Sequence, residues 1–506
     1  MKTSFKIKLL GCVAALAMYS PVMAGDAMAQ TLRMAWSQDA TGLDPHKQTA
    51  FSSQRLLELV YEPLVRSDAQ LLAAPAIAES WEFSDDGKVL TFKLNKDSKF
   101  QNGENVTSAD VKASFERILD EATGAAARAN FQSIETIETP DDATVIFKLK
   151  QADIPLLTAM TSINAAILPA SEIAAGTIGT KTVGSGPFIL ESWNPNSKEV
   201  LKTNPDWAGG KVEIDGIDIS VLPDETAILA ALRAKQIDFA VLNDPMVATM
   251  VDREANVTLD RTPSLAYHVL QLNPSRAPMN ELAVRQAISC AIDRQDVLET
   301  ASLGEGAVTG PLTSPAFAND PSTLFCYEKD LEKAKKLMAD AGFKDGFSAT
   351  VIAATGEPPT AASEAQVIQS QLAEIGIKLD IRMMELNVYV DTWLKGDFDM
   401  AVALNAGSAD PYTMYNRYWT KNGNLQKVAQ FSDDKLDSLL QEGRAETNLE
   451  KRKEIFSEFE KHIAEVSPWI WLYTSNNYAA FQKNVTGFEP RRTNSIFGVT
   501  KIKLDK

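Results

Sequence analysis

Residues 365–383, AQVIQSQLAEIGIKLDIRM, change periodicity halfway along. Ala365, Ile368, Leu372 and Ile375 recur at helical spacing and define one apolar helix face. Gly376 follows as a terminator, because glycine enters the left-handed conformation without a Cβ penalty. Ile377 to Met383 then read as a strand. A helix, a glycine and a strand in direct succession suit an α/β lobe.

The same grammar extends on both sides. Val284, Ala287, Ile288 and Ala291 fall on one helix face, as do Leu331, Ala334, Leu337 and Ala341, the latter stopped by Gly342. A long helix is expected over Leu449–Glu465, with Ile455, Phe459 and Ile463 inward and Pro468 as its stop signal. Towards the N-terminus, Thr31–Trp36 reads as a strand and Ser52–Tyr61 as a helix. Trp81-Glu82-Phe83, the turn Asp85-Asp86-Gly87 and Val89–Leu94 read as a hairpin, since Asp-Gly supplies the positive φ of a tight turn. Thr107-Ser108-Ala109-Asp110 resembles a capping box opening a helix to Leu119. A related strand, Phe147-Lys148-Leu149, follows Asp141-Asp142. No Pro/Ser/Gly-rich linker separates domains, so a hinged two-lobe body is expected rather than beads on a string.

A chain of 506 residues exceeds the roughly 250–300 that one core usually serves. It opens with Lys2, Lys6 and Lys8, an apolar run from Leu9 to Met18, and small residues ending at Ala27-Met28-Ala29, with Val22-Met23-Ala24 as a rival exit. That is the order of a secretory signal peptide over 1–29, with export to the periplasm. Leu9-Leu10-Gly11-Cys12 has the look of a lipoprotein box but lies too early in the run. Removal of 1–29 takes three lysines and Asp26, moving the net charge from −17 to −19. Such acidity argues against nucleic-acid partners and anionic membrane surfaces. Cys290 and Cys326 then remain, either bonded or buried as small apolar residues.

Enzyme signatures are scarce. His46, His268 and His462 are scattered, so no metal or other cofactor is expected. Gly209-Gly210-Lys211 lacks the hydroxyl residue of a phosphate loop, and the proline after Gly184-Ser185-Gly186 does not fit a nucleophile elbow. No catalytic residues are assigned.

Several segments, in order along nearly the whole chain, resemble the peptide/nickel-type, family 5 solute-binding proteins of bacterial ABC importers. They include Leu43-Asp44-Pro45-His46, Leu59-Val60-Tyr61-Glu62-Pro63-Leu64 and Ala76-Ile77-Ala78-Glu79-Ser80-Trp81. Phe100-Gln101-Asn102-Gly103-Glu104, Gly184-Ser185-Gly186-Pro187-Phe188, Val284-Arg285-Gln286-Ala287-Ile288 and Asp410-Pro411 continue the match. The resemblance implies an α/β, two-lobed periplasmic-binding-protein fold of class II type, with discontinuous lobes, a hinge and an additional subdomain. Lobe I would comprise 30–58, 182–265 and 478–506, the subdomain 59–181, and lobe II 266–477. Gly184-Ser185-Gly186-Pro187 and the stretch before Tyr267 would be the crossings between lobes. The implied function is non-enzymatic: a monomer that captures di- or oligopeptides and delivers them to an inner-membrane permease with its ATPase subunits. An opine or sugar-like solute is the alternative within that role, and a secreted hydrolase or sensor component the alternative outside it.

The resemblance also suggests a site. Asp410, in the Asp-Pro pair, would hold a peptide ammonium, which needs an anionic partner once water is excluded. Asn405 would offer hydrogen bonds, and Trp36, Tyr267, Tyr412 and Trp419 broad aromatic contact. Arg382, Arg417 and Arg491 are candidates for the carboxylate, without a preference among them. The polar stretch Leu404–Ala409 lacks the tryptophan usual in peptide binders, which favours the opine or sugar-like alternative.

Overall fold

A computed structural model describes residues 30–505, so the export segment and its Cys12 lie outside the described residues. The opening stretch folds as its periodicity requires. Helix Ala361–Ala373 leads through Gly376 (φ 84°) into strand Ile377–Met384. That strand pairs in parallel with Phe347–Ala354, from Phe347 opposite Ile377 onward. Gly346 and Gly376 meet where the two strands begin, and a Cβ on Gly346 would lie 1.8 Å from the Gly376 carbonyl oxygen. Glycine is required there by close approach as well as by φ.

An eleven-stranded mixed sheet is the largest of the four sheets among the described residues. Its order is Ile377–Met384, Phe347–Ala354, Met400–Asn405, Val257–Leu272, Trp469–Gln482, Phe239–Leu242, Thr31–Trp36, Gly216–Val221, Lys198–Thr203 and Phe188–Asn194. Ala307–Val308 is the eleventh strand, pairing with Trp469–Gln482. The first four strands and the last five belong to different halves, each with its own cores. One half buries Trp419, Trp469, Phe456 and Phe459 on one face and Ile288, Val351, Ile368 and Leu372 on the other. The other half buries Leu32, Met34, Trp36, Ile217 and Phe239. Each such side chain contributes about 1.5–3 kcal/mol when buried rather than exposed, so each half carries an apolar core of its own.

Two long antiparallel strands join the halves. Val257–Leu272 pairs with Trp469–Gln482 at both ends, but the register breaks between Pro263 and Tyr267. Pro263 faces Asn476, and Tyr267 faces Thr474. The register break thus falls in the stretch before Tyr267, opposite Thr474–Asn476. Gly184–Pro187, expected as the other crossing, is corrected: it joins the subdomain to strand Phe188–Asn194. A Cβ on Gly184 would lie 1.9 Å from the Val60 carbonyl oxygen, and the Gly186 N–H donates to that oxygen at 2.9 Å.

The subdomain is a four-stranded antiparallel sheet, ordered Ala78–Phe83, Val89–Leu94, Thr144–Leu149 and Ile134–Asp141. The two look-alike strands of the sequence are neighbours, with Phe92 and Phe147 edge to face. The expected turn has Gly87 at φ 66°, and the Thr107 N–H donates to Asp110 Oδ2 at 2.9 Å. Cys290 and Cys326 form a disulfide that ties helix Leu282–Ala291 to the segment before helix Leu331–Asp340. Among the described residues no helix is long and apolar enough to cross a membrane.

Candidate functional site

Helix Phe51–Val60 stands at the meeting point of both lobes and the subdomain. The N–H groups of its first turn need acceptors, yet Ala50 at the cap position has no polar side chain. Glu357 supplies one from the loop after strand Phe347–Ala354, accepting the Phe51 N–H at 3.0 Å. Its charge also lies at the positive end of the helix dipole. The cap therefore comes from a segment 306 residues away along the chain.

Three cavities adjoin this helix. The largest, about 240 Å³, is bounded by Arg55, Glu58, Asn164, Ser408 and Arg417 among others. A second, about 80 Å³, shares Phe51, Gln54, Ala406 and Arg417 with it and adds Glu357, Asn405 and Tyr418. A third, about 60 Å³, lies between Arg55, Asn243, His268, Glu357 and Arg491.

The ionic groups here are mostly engaged. Arg66 pairs with Glu62, which also accepts from Trp207 Nε1 at 3.0 Å. Arg55 is buried and bonds Asn243 Oδ1 at 3.0 Å, with Glu357, Glu225 and Glu58 as its nearby countercharges. Burial pushes the Glu58 carboxyl up to about 7, against the pull of the Ile496 N–H and of Arg55 and Arg491. Burial likewise raises Glu357, while Arg55 opposes the rise. Arg417 differs: its guanidinium lies 4.9 Å from the Tyr418 ring centre, and its buried Nε has no hydrogen-bond partner.

Asp410 requires a correction. It is the N-cap of helix Pro411–Trp419, where Oδ1 accepts the Tyr412 N–H at 2.9 Å. Its other oxygen lies 2.5 Å from the Arg452 guanidinium, and both side chains are buried. Burial raises the Asp410 carboxyl, with Arg452 and the helix N–H groups working against that. Both oxygens are thus committed within the second lobe, and Asp410 borders none of the three cavities.

The aromatic candidates are also mostly interior. Trp36 is in the first-lobe core and Trp419 packs against Trp469 at 4.7 Å. Tyr412 lies beneath Arg444, and Tyr267 is fully buried behind Asn405, whose Nδ2 is 3.4 Å from its hydroxyl. A helix whose residues 412, 415, 418 and 419 all pack inward buries rings that a sequence reading assigns to an open cleft. Asn405 and Tyr418 do border a cavity.

Arg382 pairs with exposed Asp380 away from the cavities, and Arg491 bonds Glu489 at 3.3 Å. Arg55, Glu58 and Glu357 escaped the sequence reading. For Glu357 a signal existed: Gly356-Glu357-Pro358-Pro359 follows the carboxyl end of a parallel strand, where ligands of α/β sheets gather. The histidines have local roles: His46 contacts the Ala166 carbonyl, His268 Glu364 and His462 Asp433. Among the described residues no three potential metal donors come together.

Comparison with known proteins places this geometry. The pattern of "Bacterial extracellular solute-binding proteins, family 5 Middle" matches residues 73–426. The probable D,D-dipeptide-binding periplasmic protein DdpA of Escherichia coli (strain K12) is 30% identical over 427 residues, covering 81% of each chain. The glutathione-binding protein GsiB of the same organism is 28% identical over 94% of this chain and 95% of its own. Among solved structures, AgaA of A.tumefacien R10 with agropinic acid superposes with a TM-score of 0.87 at 29% identity, covering 94% and 99%. DppA of Helicobacter pylori with the peptide STSA gives 0.86 at 26%, covering 94% and 98%.

Proposed function

The chain belongs to the family 5 bacterial extracellular solute-binding proteins, the solute-binding components of ABC importers, and from that membership we propose that it captures short peptides between its lobes. It works as a periplasmic monomer, without catalysis, and hands its cargo to an inner-membrane permease driven by ATPase subunits. The observation carrying this reading is the set of adjoining cavities enclosed by both lobes and the subdomain around helix Phe51–Val60. Small-molecule pockets span roughly 300–1,000 Å³, and these spaces together suit two or three residues rather than a long chain. An opine-like solute is the second reading. It is favoured by the commitment of Asp410 to Arg452, which removes the expected partner of a peptide ammonium.

Mass spectrometry of the solute released on denaturing natively purified protein is the direct test. A di- or tripeptide that raises the melting temperature and emerges intact from long incubation is the expected result. A sugar–amino acid conjugate moves the assignment to the second reading, and cleavage of the peptide sinks the non-enzymatic role.

A further inference from the structure

We propose that the Asp153–Arg444 ion pair is a latch closing the subdomain onto the half of the molecule that buries Trp419 and Trp469. It sets how long a solute stays without selecting which one. This rests on the solute-binding reading and deepens it.

Along the chain the subdomain joins only the other half. It is entered from helix Phe51–Val60 and left into strand Phe188–Asn194, where the Gly186 N–H donates to the Val60 carbonyl at 2.9 Å. Its last segment shares that half's core, with Ala166 and Leu168 among Leu56, Val60 and Phe188. Among the described residues, the apolar clusters that include subdomain side chains contain none from 266–477. The seam with Trp419's half is polar instead. Arg444 Nη2 donates to Asp153 Oδ2 at 2.5 Å, with the two side chains 6% and 0% exposed. The Ile154 N–H donates to the Arg444 carbonyl at 3.2 Å, and Asn424 Nδ2 donates to the Ala125 and Ala126 carbonyls at 3.1 and 3.2 Å.

A seam of hydrogen bonds without a shared apolar core has the character of an interface that separates. The pair suits that movement. Ser133 holds Asp153 from within the subdomain, so the carboxylate stays in place when the seam parts. Asp153 Oδ1 and Arg444 Nε have no partner in the closed seam, which keeps closure from being irreversible. Closed, the two charges leave water and depend on each other; parted, each is hydrated. Removing one partner penalises the closed arrangement alone, because the other charge is then buried unpaired. Neither residue borders any of the three cavities, so the effect is indifferent to solute chemistry.

The test is hydrogen–deuterium exchange of the unliganded protein, wild type against Asp153→Asn. Exchange at the Ile154 N–H should speed up on the order of tenfold or more, while strand Phe347–Ala354 keeps its protection. Unchanged exchange at the seam overturns the latch. So does an equal acceleration in that strand, which marks a pair that merely stabilises the fold. Release rates of glutathione, Ala-Ala and agropinic acid give the second readout, and those that bind should leave the variant faster by one common factor. Factors differing by more than about threefold overturn the latch in favour of a direct solute contact. A seam that opens in the variant although none of the three probes binds upholds the latch and counts against the proposed solutes. If Asp153→Asn does not fold, Asn424→Ala decides by the same measures: it removes two seam hydrogen bonds and should accelerate exchange several-fold, and unchanged exchange there overturns the latch.

Discussion

The two ends of helix Pro411–Trp419 carry opposite charges and have opposite fates. At the N-terminus Asp410 caps the helix and meets Arg452, so its charge is consumed inside the lobe. At the C-terminus Arg417 borders two cavities, with no carboxylate within 4.0 Å among the described residues. An aspartate before a proline draws attention in a sequence, but a charge already neutralised by its own protein has little left for a ligand.

The sharpest way to break this comparison is Asp410→Asn. It leaves Arg452 buried without its counterion, which costs on the order of 3–5 kcal/mol of stability. Urea unfolding should show a loss of that size, while ligand affinity of the folded fraction changes less than about threefold. A stable variant with a large affinity loss would restore Asp410 as the ligand's partner.

Arg417→Gln is expected to behave in reverse. Among the described residues Arg417 makes no ion pair to lose, so stability should shift by less than about 1 kcal/mol. A stability loss matching that of Asp410→Asn would erase the distinction between the two ends.

Glu357 is an intermediate case, an acid engaged across the cleft rather than within its lobe. Glu357→Ala removes the cap of helix Phe51–Val60, worth about 0.5–2 kcal/mol. Because the bond joins the lobes, that energy should be lost from the closed form. Small-angle scattering of the unliganded variant should show a larger radius of gyration than wild type, and an unchanged radius would make the contact merely local.

The smallest effect belongs to Glu199, a buried acid with another acid for company. Burial, then Asp39, pushes its carboxyl up to about 10, so at neutral pH it holds its proton. Glu199→Gln, neutral in both folded and unfolded states, should therefore raise rather than lower stability at pH 7, unlike Asp410→Asn. The sign with pH follows from linkage. The folded state binds a proton that the unfolded state has released above its ordinary value of 4.5, so stability declines as pH rises from there towards about 10. Melting curves across that window should be flatter for the glutamine variant, and equal slopes would show that Glu199 is ionised in the folded protein.

The sequence by itself determined the local elements. Apolar spacing located strand Ile377–Met384, helix Leu449–Val466 and the hairpin around Gly87, because periodicity and turn chemistry act over a few residues. The ordered segments from Leu43 to Asp410 also carried the family. Only the tertiary structure decided which charges were spent. Phe51 and Glu357 lie 306 residues apart, and the Cys290–Cys326 bond and the passage at Pro263–Tyr267 also depend on distant segments meeting. Whether Asp410 or Arg417 is open to a ligand turns on which opposite charge lies within a few ångströms inside a weakly polar interior. Coulomb attraction there depends on distance in space, and spacing along the chain does not reveal it.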